Sequence, residues 1–139
     1  SKLKGKAAGL PIDFLGRTTP EQLYNQVHWT VLPSIWDEPL ARVIFESYAH
    51  GVPVIGSQTG GTPELLEEDV TGYIYSDARN PTNLKEKMAK ALTNNEKYKS
   101  MVSESKKQSQ NFTPEAVSKN YLTLYKIAKN TNPPPASAQ

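Results

Sequence analysis

Apolar residues in this chain occur either in short runs or at every third or fourth position. Three such runs, at residues 11–16, 28–33 and 53–56, each end at Gly or Pro. Short apolar runs bounded by turn residues are typical of buried strands. A further run, Tyr73-Ile74-Tyr75, follows a turn at Thr71-Gly72 and predicts a last strand.

Helical spacing fills the segments between and after these runs. Residues 39–50 have an apolar stripe and end before Gly51, which suits a helix terminus. Thr19-Pro20-Glu21-Gln22 combines an N-cap, a first-turn proline and a capping box. Similar cap-and-proline starts occur at Thr62-Pro63-Glu64 and Thr113-Pro114-Glu115, and a helix is also predicted after Asn80-Pro81.

The alternation of strands and helices predicts an α/β fold, a Rossmann-like parallel sheet with flanking helices. We expect residues 1–131 to form one partial domain and residues 132–139 to be a disordered Pro-rich tail. Residues 1–10 are interpreted as the end of a helix from a missing unit, so the predicted domain is truncated at its N-terminus. In such sheets, ligands bind beyond the carboxyl ends of the strands.

Composition excludes several kinds of site. The 139 residues include no cysteine and two histidines, His28 and His50, so neither thiolate chemistry nor a metal site is expected. A net charge of +2 with interspersed signs gives no reason to expect a nucleic-acid partner. The sequence has no long apolar run, and we expect a cytoplasmic protein; whether an upstream region contacts a membrane is left open.

The most informative stretch is residues 33–46. A predicted strand ends at Pro33-Ser34, a short loop carries Glu38, and a predicted helix begins at once and carries Glu46. The free N–H groups of a helix start favour an anion such as a diphosphate. Because Pro39 has no N–H group, the expected donors are Leu40, Ala41 and Arg42.

The two carboxylates have both a functional and a structural interpretation. Glu38 suits sugar hydroxyls and Glu46 suits a ribose diol, since a carboxylate accepts two hydroxyl hydrogen bonds well. Arg42 and Glu46 are spaced i, i+4, however, and an ordinary helix-surface ion pair explains that spacing equally well. Glu38 is equally compatible with a solvated loop acid or an N-cap acid. Spacing alone does not decide between these interpretations.

Five motifs in order resemble the C-terminal domain of GT-B glycosyltransferases, in particular family 4 (glycosyltransferase group 1). They are Phe14-Leu15-Gly16, Pro33-Ser34, the Glu38 and Glu46 pair, Ala49-His50-Gly51-Val52-Pro53-Val54, and Gly60-Gly61-Thr62-Pro63-Glu64. The resemblance covers Phe14 to Tyr75, and the last helix is similar to the family's closing helix. Each motif is weak alone, but the ordered set is specific.

The resemblance implies a retaining transfer of a sugar from a nucleoside diphosphate sugar to an acceptor hydroxyl, without a metal or other cofactor. It implies that Glu38 is the catalytic residue, through positioning and electrostatics at the donor sugar, and that Glu46 holds the ribose. The other implied donor-binding residues are Gly16, Arg17 and Thr18 near the base, Ser34 at the strand end, Leu40, Ala41 and Arg42 at the diphosphate, and Gly60, Gly61 and Thr62 near the sugar.

Two departures from the family pattern limit this comparison. The usual Glu-Gly-Phe-Gly-Leu is replaced by Glu38-Pro39-Leu40-Ala41-Arg42, which removes two glycines and one N–H donor. The family's cationic phosphate ligands and its acceptor-binding N-terminal domain have no counterpart in this sequence, so we expect the chain alone to be inactive. A GT-B-like sugar-nucleotide epimerase and a non-catalytic sugar-nucleotide-binding module are the alternatives.

Overall fold

The computed structural model describes residues 2–131, and the predicted tail, 132–139, lies outside the described residues. The strands are β1 (Thr30–Leu32), β2 (Val54–Ser57) and β3 (Gly72–Tyr75). The helices are α1 (Lys2–Lys6), α2 (Pro20–Tyr24), α3 (Arg42–Ala49), α4 (Thr62–Leu65), α5 (Pro81–Thr93), α6 (Asn95–Ser109) and α7 (Pro114–Thr131), with a 3₁₀ turn at Gln110–Phe112.

The strands form a three-stranded parallel sheet in the order β1-β2-β3. Val31 pairs with Ile55, and Ile55 with Tyr73, so these side chains share one face. All four residues of the central strand β2 are buried, as the apolar run 53–56 predicts for a strand covered on both faces. The predicted α/β fold with a parallel sheet and flanking helices is confirmed.

A separate apolar cluster packs on each face of the sheet. On one face, Val54 of β2 packs with Ile44 and Tyr48 of α3 and with Leu66 after α4. On the other face, β2 and β3 pack against α5 and α6; the buried members are Ile55, Tyr73, Tyr75, Ala91 and Met101. The sheet is therefore a middle layer between helices, which places the connecting loops at its two ends.

The capping box predicted at the start of α2 is present. The Thr19 side chain accepts a hydrogen bond from the Gln22 backbone N–H, and the Gln22 side chain accepts one from the Thr19 N–H. These two bonds satisfy N–H groups that have no partner within the helix. They also fix the loop before α2, which carries three of the predicted donor-binding residues.

The predicted strand at residues 11–16 is wrong. These residues form no regular element, and no strand among the described residues pairs with them. The side chains of Ile12, Phe14 and Leu15 are about half exposed. Apolar character alone does not make a strand, because each strand also needs a hydrogen-bonded neighbour.

Candidate functional site

The loops that follow β1 and β2 meet beyond the carboxyl ends of the strands. The Ser57 hydroxyl, at the end of β2, donates a hydrogen bond of 2.7 Å to the Ser34 carbonyl, and the Thr59 hydroxyl lies 3.3 Å from the same oxygen. Ser34 is itself buried. Ser34 is thus a buried junction between the two loops.

Glu38 is held by direct backbone contact with the glycine pair. The Gly61 N–H donates to the Glu38 carbonyl at 2.9 Å, and the Gly60 N–H donates to Asp37 Oδ1 at 2.9 Å. A Cβ atom on Gly60 would lie 2.5 Å from both N and O of Glu38, and one on Gly61 would collide with the Pro39 carbonyl. The glycines are therefore required here to admit the backbone of the Glu38 loop.

Helix α3 begins later than the sequence predicts. Residues 39–41 precede it, Ala41 is the N-cap with extended backbone (φ −78°, ψ 94°), and Arg42 is the first helical residue. A helix starting at Pro39 would need the Glu38 carbonyl to accept from the Arg42 N–H; in the structure its backbone partner is the Gly61 N–H.

The shift changes which N–H groups are free. The Ile44 N–H already bonds to the Ala41 carbonyl at 2.9 Å. The first-turn N–H groups without an intrahelical acceptor are therefore those of Arg42 and Val43, whereas Leu40 and Ala41 lie in the loop that leads to them. The positive end of the α3 dipole lies at the same place.

Glu46 borders a cleft of about 300 Å³ between α2 and α3, lined also by Thr18, Thr19, Leu23 and Val43. Burial, and secondly the negative charge of Glu46, raises the pKa of Tyr24 on the cleft wall. The structure thus brings Thr18 and Glu46, which are distant in sequence, to one surface.

The carboxylate of Glu46 also lies 3.5 Å from Arg42 Nη2, so the ion pair that the i, i+4 spacing allows is present.

A second cleft, of about 490 Å³, adjoins the first. It is lined by Lys4, Asp13, Phe14, Leu15, Gly16, Thr18 and Leu23, and so shares Thr18 and Leu23 with the cleft at Glu46. Gly16 has φ +71°, which suits glycine. Arg17 is exposed and lies between two residues that line the cleft.

Thr62 lies beneath the glycine pair. Its side chain is 1% exposed, and its Oγ1 has no hydrogen-bond partner among the described residues. It is the first residue of α4, after the N-cap Gly61, and not the cap itself as the sequence predicts. A buried Oγ1 presents no oxygen to the open surface.

Two residues of this region were not identified from the sequence. Asp37 bonds to the glycine loop, and Tyr24 braces α3 by donating a hydrogen bond of 3.3 Å to the Val43 carbonyl. Tyr24 also stacks on His50, with ring centroids 5.1 Å apart. The apolar face of α2 could have suggested Tyr24, but no local signal marks Asp37.

No group of three or more His, Asp or Glu side chains within residues 2–131 is placed to hold a metal ion. None of the helices described has the length and apolar character needed to cross a membrane.

Sequence comparison matches residues 3–108 to the family of glycosyl transferases group 1. Spore coat protein SA of Bacillus subtilis (strain 168) is 36% identical over 115 residues, which are 82% of this chain and 30% of that protein. The matched segments cover between 17% and 30% of the length of the curated relatives.

Two solved structures share the fold. Sucrose-phosphate synthase (tll1590) from Thermosynechococcus elongatus superposes with a TM-score of 0.78 at 23% identity, over 94% of this chain and 34% of that one. Anabaena Alr3699/HepE, solved in complex with UDP-glucose, superposes with a TM-score of 0.76 at 24% identity, over 92% of this chain and 36% of that one. These likenesses concern the fold of the C-terminal part of GT-B glycosyltransferases.

Proposed function

The chain belongs to the glycosyl transferases group 1 family, and on that premise we propose that it is the donor-binding part of a retaining glycosyltransferase. The reaction moves a sugar from a nucleoside diphosphate sugar to an acceptor hydroxyl. The acceptor site and further phosphate ligands belong to a part of the enzyme outside this chain. One observation carries the proposal: the loops bearing Glu38 and the glycine pair are hydrogen-bonded to each other beyond the carboxyl ends of one parallel sheet, next to the start of the helix that carries Glu46.

The start of α3 is the proposed diphosphate site. Arg42 and Val43 offer N–H groups that no helical carbonyl accepts, and the Arg42 side chain adds a cation at the same turn. Fixed dipoles and a cation stabilise the charge that develops on a departing diphosphate. Leu40 and Ala41, in the loop before the helix, are the remaining backbone donors of this site.

Glu46 is the proposed ribose ligand, and the cleft beside it is the proposed nucleoside site. Its carboxylate borders the same cleft as Thr18, and Gly16 lies on the adjoining cleft. A ribose bound at Glu46 would direct the base toward Gly16, Arg17 and Thr18. In this proposal the nucleoside lies beside α2, the diphosphate at the start of α3 and the sugar near the glycine pair.

Glu38 is the proposed catalytic residue. It lies on the loop before α3, half-buried against Gly60 and Gly61, where its carboxylate would accept hydrogen bonds from the donor-sugar hydroxyls. We assign it positioning and electrostatic support of the reacting sugar. Thr62 and Ser34 act from beneath, by supporting the two loops.

An amide-resolved NMR titration tests the donor site. The chain is titrated with UDP, GDP and ADP, and a part of an enzyme is expected to bind at roughly millimolar strength. Shift changes should concentrate at residues 16–18, 42–46 and 60–62. Glu46→Ala should weaken binding about tenfold, whereas Glu96→Ala, an exposed acid on α6, should leave it unchanged.

The same titration can reject the proposal. Shift changes at another surface, or equal binding by Glu46→Ala and the wild type, would contradict the assignment of the ribose site. Equal binding would favour a non-catalytic module that does not need Glu46. No response to any nucleotide would overturn the proposal for this chain.

A further inference from the structure

Asp37 and Glu38 contact Gly60 and Gly61 through two consecutive hydrogen bonds. The Asp37 carboxylate accepts from the Gly60 N–H, and one residue further on the Glu38 carbonyl accepts from the Gly61 N–H, both at 2.9 Å. The first bond uses a side chain and the second uses backbone alone. Of the two, only the first can be removed by a side-chain substitution.

The contact between these loops leaves little room for movement. Gly60 has φ +50°, and a Cβ atom there would lie 2.9 Å from the Asp37 carbonyl carbon and 2.5 Å from Glu38 N. The Gly60 N–H points at the Asp37 carboxylate. This carboxylate is exposed and belongs to the loop after β1. A charged acceptor strengthens such a bond relative to a neutral one.

Resting on the proposed function, we propose that Asp37 is a positioning residue for the donor sugar. By holding the Gly60 N–H, its carboxylate fixes the glycine loop against the backbone of Glu38 and so sets where the Glu38 side chain meets the sugar. Glu46 and the start of α3 do not take part in this link. Loss of Asp37 should therefore affect recognition of the sugar and leave recognition of the nucleotide intact.

Two variants at Asp37 separate positioning from a general structural role. Asp37→Ala removes the acceptor, whereas Asp37→Asn retains a carbonyl oxygen that can accept from Gly60. Glu96→Ala is the matched control, because it removes an exposed carboxylate whose ion pair with Lys99 lies on α6 alone. The Gly60 amide should exchange with solvent faster in Asp37→Ala than in the wild type or Asp37→Asn.

Binding is measured by NMR titration with three pairs of ligands: UDP and UDP-glucose, ADP and ADP-glucose, and GDP and GDP-mannose. The pair that the wild type binds most tightly is then used for every variant. In Asp37→Ala the affinity for the sugar nucleotide should fall about fivefold relative to the nucleotide alone. The two affinities should keep their wild-type ratio in Asp37→Asn and Glu96→Ala.

Several outcomes overturn the inference. If Asp37→Ala weakens binding of the nucleotide and of the sugar nucleotide equally, the effect is a general structural one. If neither affinity changes, the Asp37–Gly60 hydrogen bond does not matter for the sugar. If the wild type binds the nucleotide and the sugar nucleotide equally tightly in all three pairs, this result contradicts the proposed contact between Glu38 and the sugar. If the wild type binds no nucleotide, the proposed function fails and this inference fails with it.

Discussion

Gly61 donates its backbone N–H to the carbonyl of Glu38 across 2.9 Å, so the loop after β2 holds the loop that carries the proposed catalytic carboxylate. A helix starting at Pro39 would use the same carbonyl for its first hydrogen bond. In the structure this carbonyl bonds to Gly61 instead, and α3 starts later, at Arg42. Because α3 starts later than predicted, its free first-turn N–H groups also lie later in the chain.

Gly61→Ala should destabilise the protein and disturb the site. A Cβ atom at this position would collide with the Pro39 carbonyl, which cannot rotate away as a side chain could. We expect a loss of about 1–3 kcal/mol in the free energy of unfolding, from forced backbone shifts. Urea denaturation measures this loss.

Gly5→Ala is the matched control for that experiment. Gly5 lies in α1, and a Cβ atom added there would meet no atom within 4 Å, so alanine should fit and favour the helix slightly. If Gly61→Ala proves as stable as Gly5→Ala, the close approach of the two loops described above does not exist in solution.

The features of the fold that were predicted correctly from the sequence are those that local signals determine. Short apolar runs located β1, β2 and β3, and Thr19 with Gln22 located the start of α2, because neighbouring residues decide these features. The roles that the motifs predict for Glu38 and Glu46 stay predictions. The predicted start of α3 was wrong: the residues before Arg42 form a loop in contact with Gly61, which is distant in sequence and therefore invisible to local signals. The strand predicted at 11–16 was wrong for a related reason. A strand needs a hydrogen-bonded neighbouring strand, which the hydropathy pattern does not reveal.

Arg42→Ala should separate binding from stability. The Arg42 side chain is 85% exposed and its ion pair with Glu46 is long, at 3.5 Å, so its loss should change the free energy of unfolding by less than about 0.5 kcal/mol. If Arg42 also contacts the diphosphate, nucleotide affinity should fall several-fold and depend less on salt. Arg42→Lys, which keeps the charge, is the control.

Denaturation and nucleotide titration are compared for both Arg42 variants. A stability loss above about 1 kcal/mol in Arg42→Ala would contradict the exposed geometry of the pair. If Arg42→Ala binds the nucleotide as tightly as the wild type does at low salt, the Arg42 side chain does not contact the diphosphate.

Tyr48→Phe should change how stability depends on alkaline pH. Burial raises the pKa of Tyr48 to about 12, with its hydrogen bond to Thr71 opposing the shift. Because the raised value favours the protonated phenol in the folded state, this contribution is complete below about pH 10, the ordinary pKa of tyrosine. It is lost as the pH rises toward the folded-state value, since the unfolded chain then binds fewer protons.

The comparison is made between the two unfolding free energies at each pH. At neutral pH, Tyr48→Phe should be less stable by about 1 kcal/mol, because the phenol lies 2.6 Å from Thr71 Oγ1 and 3.1 Å from the Leu65 carbonyl. Between about pH 10 and 12 the wild type should lose roughly 2 kcal/mol relative to Tyr48→Phe, so that the difference reverses sign and the variant becomes the more stable protein. A constant difference would contradict the burial of the phenol.

The two methionines provide a test of which surfaces are covered. Met101 of α6 is fully buried in the cluster with Ile55 and Tyr73, whereas Met88 of α5 is 41% exposed. Met101→Ala should therefore cost about 2–5 kcal/mol through lost contacts and a cavity, and Met88→Ala less than about 1 kcal/mol. Urea denaturation of both variants under one set of conditions measures the difference. Because Met88 lies beside Trp29, Val31 and Leu92 on a small cleft at β1, equal costs would mean that this surface is buried in solution by a further contact.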